Sequence, residues 1–69
     1  MKINEAVHIG YESYAAVCVT KFGMQIYVVL KTDCVGQVTQ LASYMSESYA
    51  IRHASKIVDN ARKAFEVVK

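Results

Sequence analysis

The sequence predicts a small α+β domain in which an antiparallel β-hairpin or three-stranded sheet packs against one C-terminal amphipathic helix. Residues 14–21 and 24–31 are rich in β-branched and aromatic side chains, and a two-residue gap with a glycine separates them. Residues 46–68 instead repeat their apolar side chains at helical spacing. Residues 1–69 are interpreted as a single domain, because a chain of this length leaves no room for a second core.

The hairpin is the clearest element of the first half. Gly23 lies in the gap between the two strands and can adopt the positive φ that a tight turn needs. Alternation along the second strand assigns successive side chains to opposite faces of the sheet. We predict that the helix covers the more apolar of these faces, which carries Met24, Ile26, Val28 and Leu30.

Two other segments each fit two structures. Residues 6–10 fit either a short strand or the start of a bent first strand that is broken at residues 10–13. Residues 37–42 fit a third strand, but residues 38–45 also fit a helical turn. The helical alternative arises because four apolar side chains recur at helical spacing, namely Val38, Leu41, Ala42 and Met45.

The predicted helix begins after Ser46, whose hydroxyl can cap the first turn, and Glu47 places negative charge near the positive end of the helix dipole. At its other end, residues 66–68 fit a strand equally well. At 100° per residue, the apolar side chains of the predicted helix fall within an arc of about 140°. This arc contains Ala50, Ile51, Ala54, Ile57, Val58, Ala61, Ala64, Phe65 and Val68. Three basic residues form a strip about 40° wide on the opposite side, and these are Arg52, Lys56 and Lys63.

The composition indicates a surface that meets a partner. Hydrophobic residues make up 54% of the chain, whereas a domain of this size buries only about 60% of its unfolded surface. We therefore predict binding to another protein, or a homodimer. Five of the aromatic residues are tyrosines, which suit interfaces because they combine a large apolar ring with a hydroxyl. The predicted partner-binding residues are Arg52, Lys56, Lys63, Tyr49, Tyr11 and Tyr14.

The residues that could carry chemistry do not form a recognisable motif. A structural zinc site uses ligand pairs only a few residues apart, and the widely spaced His8, Cys18, Cys34 and His53 do not fit that pattern. Both cysteines are predicted to be reduced thiols in the core. Cys34 and His53 could meet as nucleophile and base, but only Lys31 supplies positive charge near Cys34. We predict a protein that is not an enzyme and has no metal and no cofactor.

The charge pattern sets the alternative function and the expected location. The net charge of +2 is smaller than a dedicated nucleic-acid-binding protein carries, and the excess lies on the helix. A small dimeric nucleic-acid-binding or regulatory domain is the alternative, because the basic strip could contact phosphates. No apolar core of a signal peptide follows Lys2, and no apolar run approaches the ~20 residues that span a membrane. We expect a cytoplasmic protein without membrane contact.

The chain resembles one group of known proteins in its short length, in its order of strands followed by a helix and in its lack of catalytic motifs. These are the small proteins that bacteriophages encode to bind and inhibit a host protein, including anti-CRISPR proteins and polymerase inhibitors. The resemblance covers the whole chain and lies in its organisation rather than in individual residues. It implies an inhibitor that covers a site on a host protein or nucleoprotein complex and does not act by catalysis.

Overall fold

The computed structural model describes residues 1–68, which form an α+β fold of one antiparallel sheet and one helix. The elements in chain order are β1 (Val7–Ile9), β2 (Glu12–Lys21), β3 (Met24–Thr32), β4 (Val38–Tyr44) and α1 (Glu47–Val68). The strands lie in the order β1-β2-β3-β4, and each pairs antiparallel with the next. The predicted fold class is confirmed, and the sheet has four strands where two or three were predicted.

The predicted hairpin is β2 and β3. Lys21 pairs with Met24 across a two-residue turn in which Phe22 has a φ of 54° and Gly23 a φ of 76°. Two successive positive φ values are typical of the type I′ turn, whose twist matches that of the flanking strands. Glycine adopts this conformation without strain, whereas a bulky residue such as Phe22 rarely does.

Both segments that fitted two structures are strands. β1 pairs with the start of β2, where Val7 lies opposite Tyr14. β4 pairs with β3 through a β-bulge after Val29, so that Leu41 has no partner across the pair. Pairing with β3 gives the β4 backbone a row of hydrogen bonds, which a single isolated helical turn could not supply.

The predicted helix is confirmed as α1, which has 22 residues. The Ala50 amide donates to the Ser46 carbonyl at 3.2 Å, so Ser46 immediately precedes the helix as predicted. The Ser46 hydroxyl contacts the Ser48 hydroxyl at 3.1 Å. Among residues 1–68, no helix has the length and apolar character needed to pass through a bilayer.

The helix packs on the opposite face of the sheet from the one that was predicted. Ala16, Val29 and Ala54 are all fully buried and contact one another. Alternation along β3 therefore places Met24 and the other residues of the predicted core face on the side away from the helix. The physical reason is the size of the side chains, because alanines at the contact let the helix axis approach the sheet closely.

A second buried cluster holds the C-terminal half of the helix. Ile9, Tyr14 and Val58 form this cluster, against which Val7 and Ala61 also pack. Gly10 has a φ of +61°, and a Cβ atom there would come within 2.8 Å of the Phe65 ring. The lack of a side chain at residue 10 therefore lets the β1–β2 turn lie against the Phe65 ring near the end of the helix.

The two cysteines occupy different environments. Cys18 is half-buried in β2, and Cys34 is exposed in the turn between β3 and β4. The predicted core position of Cys34 is therefore wrong. The Asp33 carboxylate accepts hydrogen bonds from the amides of Val35 at 3.1 Å and Gln37 at 2.8 Å, and this turn holds Cys34 at the surface.

Candidate interaction surfaces

The face of the sheet away from the helix is apolar. The register places Val17 opposite Val28, and Val19 opposite Ile26. We call this surface the open sheet face, and its apolar residues are Ala15, Val17, Val19, Met24, Ile26, Val28, Leu30 and Val38. The same register places polar residues at its margins, namely Ser13, Lys21, Thr32, Gln40 and Ser43. Within residues 1–68, the one helix packs on the opposite side of the sheet, so no second layer covers this face.

Exposure and charge make the open sheet face unusual for a surface. Val38 is 56% exposed and Met24 47%, whereas Val28 at the centre is shielded by its neighbours. A sheet with one solvated face normally carries polar side chains there. Lys21, at the hairpin end, is the single charged residue in the β2–β3 pairs of this face. A contiguous uncharged apolar surface of this kind is typical of an interaction site.

The alternation of apolar residues along β3 predicted a core position for the residues of this face, so they were not predicted as a surface. The informative signal was the series of small residues on the other face, where Ala16 and Ala42 meet the helix alanine Ala54. Hydrophobicity alone favours the face with Val28 and Leu30. Close approach of a helix instead requires small side chains at the contact, and these identify the face with Val29.

The predicted basic strip lies on the solvent side of the helix. Arg52, Lys56 and Lys63 are all exposed, and they point away from the sheet because the buried positions Ala54 and Val58 occupy the opposite side. We call these three residues the basic ridge. It extends over 11 residue steps, or about 16 Å along the helix. Two acidic residues lie beside it on the helix, Asp59 and Glu66.

The three predicted tyrosines lie in three different places. Tyr49 is exposed at the start of the helix, and the Arg52 guanidinium carbon lies 5.9 Å from the centre of its ring. Tyr11 is 86% exposed in the β1–β2 turn near Phe65, about 24 Å along the helix from Tyr49. Tyr14 is only 5% exposed. The structure therefore joins Tyr49 to the basic ridge, separates Tyr11 from it, and places Tyr14 in the core rather than on the predicted surface.

His53 ties the start of the helix to the sheet. Its Nδ1 atom lies 2.7 Å from the Tyr44 hydroxyl, and the two rings meet edge to face at 5.7 Å. Cys34 lines a groove beside Phe65, which is 12 residues or about 18 Å further along the helix. The structure therefore does not bring Cys34 and His53 together. Among residues 1–68, no three His, Cys, Asp or Glu side chains are grouped to hold a metal ion.

Glu12 connects two other titratable side chains. Its carboxylate lies 2.8 Å from the Lys31 ammonium and accepts a hydrogen bond from the Tyr14 hydroxyl at 3.3 Å. The hydrogen bond to Glu12, together with its charge, raises the pKa of Lys31 above 10.5. Burial, followed by the Glu12 charge, raises the pKa of Tyr14 above 10.0. Both groups therefore hold their protons more tightly in the folded protein.

This arrangement makes stability depend on alkaline pH. A pKa raised by folding stabilises the protein fully below the unfolded pKa, and that contribution is lost as the pH rises through the folded pKa. We therefore expect the free energy of unfolding to fall above about pH 10. Glu12→Gln should reduce this fall, since it removes the main cause of the Lys31 shift. Urea unfolding of wild type and Glu12→Gln at about pH 8 and about pH 11 measures the fall in each protein.

Glu5→Gln is the matched control, since it also removes one exposed carboxylate but not the one beside Lys31. Its stability should follow the wild-type pH profile. The same pH profile for Glu12→Gln and Glu5→Gln would contradict the role given to Glu12.

No protein-family model, no curated protein and no solved structure matches the chain. The function is therefore inferred from the surfaces themselves.

Proposed function

We propose that this chain is a non-enzymatic protein-binding module that covers an acidic site on a partner protein. The basic ridge is the observation that carries this proposal. Arg52, Lys56 and Lys63 are exposed on one side of a single helix, and Tyr49 extends the same surface at its N-terminal end. Arginine and tyrosine are among the residues that most often dominate the binding energy of protein interfaces.

The geometry of the ridge defines the partner surface that fits it. Three cations spread over about 16 Å of a helix match a row of carboxylates of similar length. Asp59 and Glu66 lie on one border of the ridge, so a broad acidic surface would be repelled along that side. The best partner therefore presents a narrow acidic strip, and the orientation of the helix on it is fixed by charge.

The mode of action proposed is steric. The helix of 22 residues is about 33 Å long, and the sheet behind it holds it rigid through buried alanine and valine contacts. A rigid body of this size can cover a binding site without altering it chemically. This is the mode of the phage-encoded inhibitors that the chain resembles in organisation, and a host protein or nucleoprotein complex is the partner that this resemblance favours.

Charge reversal on the ridge tests the proposal. The variant R52E/K56E/K63E should retain its circular dichroism spectrum but bind the partner at least about 100-fold more weakly, since three contact residues are reversed. The control K2E/Q25E/Q37E/R62E makes the same change in net charge at exposed positions that lie off the ridge and off the open sheet face. Wild type should capture the partner from a bacterial lysate, and calorimetry with the purified partner then compares the three proteins.

Two results would contradict this function. Equal affinity of the ridge and control variants would remove the ridge from the interface. Binding of bare duplex DNA, lost in the ridge variant and falling with a log–log salt slope of about −3, would make phosphates the target of the three cations. The second result would favour the dimeric nucleic-acid-binding alternative over a protein partner.

A further inference from the structure

We propose that the open sheet face is the interface of a homodimer, in which a second copy of this chain packs sheet against sheet. The open sheet face lies on the side of the molecule opposite the basic ridge, so this dimer is separate from the proposed function. Three features of the face favour a second copy, namely its charge, its symmetry and its area.

Charge favours a second copy over a different partner. The β2–β3 pairs of the open sheet face contain no acidic residue, and Lys21 at the hairpin end is their single basic one. A charged partner surface would therefore lose its hydration there without gaining counter-charges. An apolar, uncharged surface is the best complement, and the open sheet face itself is such a surface.

Symmetry places the single charge favourably. The residues of β2 on this face run from Ser13 at one end to Lys21 at the other, and Val17 lies midway between them. We place the two-fold axis through the Val17–Val28 pair, in the plane of the interface and perpendicular to the strands. This axis puts the two Lys21 side chains about 26 Å apart. This is well beyond the screening length of about 10 Å, so the lysines do not repel strongly. Each Lys21 then lies over the opposite end of the other copy's face, where the hydroxyl groups of Ser13 and Thr32 are located.

The area matches a small interface. β2, β3 and β4 have ten, nine and seven residues, so their common face measures about 30 Å by 14 Å, or about 400 Å² as a flat footprint. For two copies this footprint amounts to about 800 Å², below the roughly 1,200–2,000 Å² of standard interfaces and in the range of weak, transient ones. We therefore expect a dissociation constant in the micromolar range or weaker.

The dimer would be a four-layer structure. Two sheets packed face to face lie about 10 Å apart and leave both helices on the outside. Each basic ridge then remains exposed, so dimer formation and partner binding use separate surfaces. Loss of dimer formation is therefore distinguishable from loss of partner binding.

Sedimentation equilibrium on the wild-type protein gives the first test. The average mass should rise from 7.7 kDa for the chain at about 1 μM to about twice that value at about 1 mM. A mass that stays at the monomer value at about 1 mM overturns the proposal, and leaves the face to a partner of a different sequence.

Substitution of single valines by lysine gives the second test. Val19→Lys places a charge on the open sheet face and should weaken the dimer at least about tenfold. Val35→Lys places the same charge on the exposed β3–β4 turn, off the face, and should leave the dissociation constant unchanged. A dimer that both variants weaken equally, or neither weakens, uses another surface and overturns the proposal. Val38→Lys, at a more exposed position on the face, repeats the test if Val19→Lys lowers the melting temperature.

Discussion

Replacing Val29 by aspartate is expected to unfold the protein at room temperature. Val29 is fully buried between the sheet and the helix, in contact with Ala16 and Ala54. A carboxylate at this position has no cation to pair with among the residues of its cluster, so burying it costs several kcal/mol. The total free energy of unfolding of a 69-residue domain is about 3–10 kcal/mol. Circular dichroism of the V29D variant should therefore show an unfolded chain.

Val19→Asp is the matched control on the other face of the sheet, where Val19 is partly exposed. At about 1 μM, where the proposed dimer is dissociated, we expect this variant to remain folded, since water reaches the new carboxylate. A V29D variant that melts within a few degrees of V19D would mean that the helix does not pack on the Val29 face. The pair of variants therefore tests the face that was assigned wrongly from the sequence.

Replacing Ala54 by leucine is expected to lower stability by about 3 kcal/mol, the upper end of the cost of overpacking a core. Ala54 contacts Ala16 and Val29, and all three side chains are fully buried. Three additional carbon atoms at this position can fit only if the helix moves away from the sheet, which also loosens the contacts of its neighbours. For a domain of this size, the melting temperature should fall by about 12–24 °C.

Ala64→Leu is the control for Ala54→Leu, because it makes the same substitution in the same helix. Ala64 is exposed and lines a shallow groove beside Ile9 and Phe65, so the larger side chain has room there. Both residues are good helix formers, and the helix propensity therefore changes little. Equal melting temperatures for A54L and A64L would contradict the close contact between helix and sheet.

Local patterns in the sequence predicted most of the elements. The turn at Phe22 and Gly23 identified the hairpin, and Ser46 marked the start of the helix. Both signals depend on a few neighbouring residues, which is why they could be interpreted without the rest of the chain. The ambiguity of residues 38–45 could not be resolved in this way, because only pairing with β3 stabilises β4 as a strand.

The position of the helix on the sheet depended on information that the local pattern lacks. Both faces of β3 carry apolar residues, with Val28 on one and Val29 on the other. The helix packs on the Val29 face because Ala54 fits closely against Ala16, and these two residues are distant in the sequence. The basic ridge was predicted correctly as a strip, since the helical period alone fixes it. The burial of Tyr14 was not, because it depends on contacts with Ile9 and Val58.

The bulge in β4 has a consequence for how this protein behaves at high concentration. β4 is an edge strand, and its residues Val38–Tyr44 include no charge, proline or glycine. Such a segment can recruit strands from other molecules and begin the growth of fibrils. The unpaired Leu41 interrupts the regular spacing of backbone donors and acceptors along this edge, so an incoming strand cannot bond along its full length. We therefore expect the irregularity to oppose polymerisation through this edge.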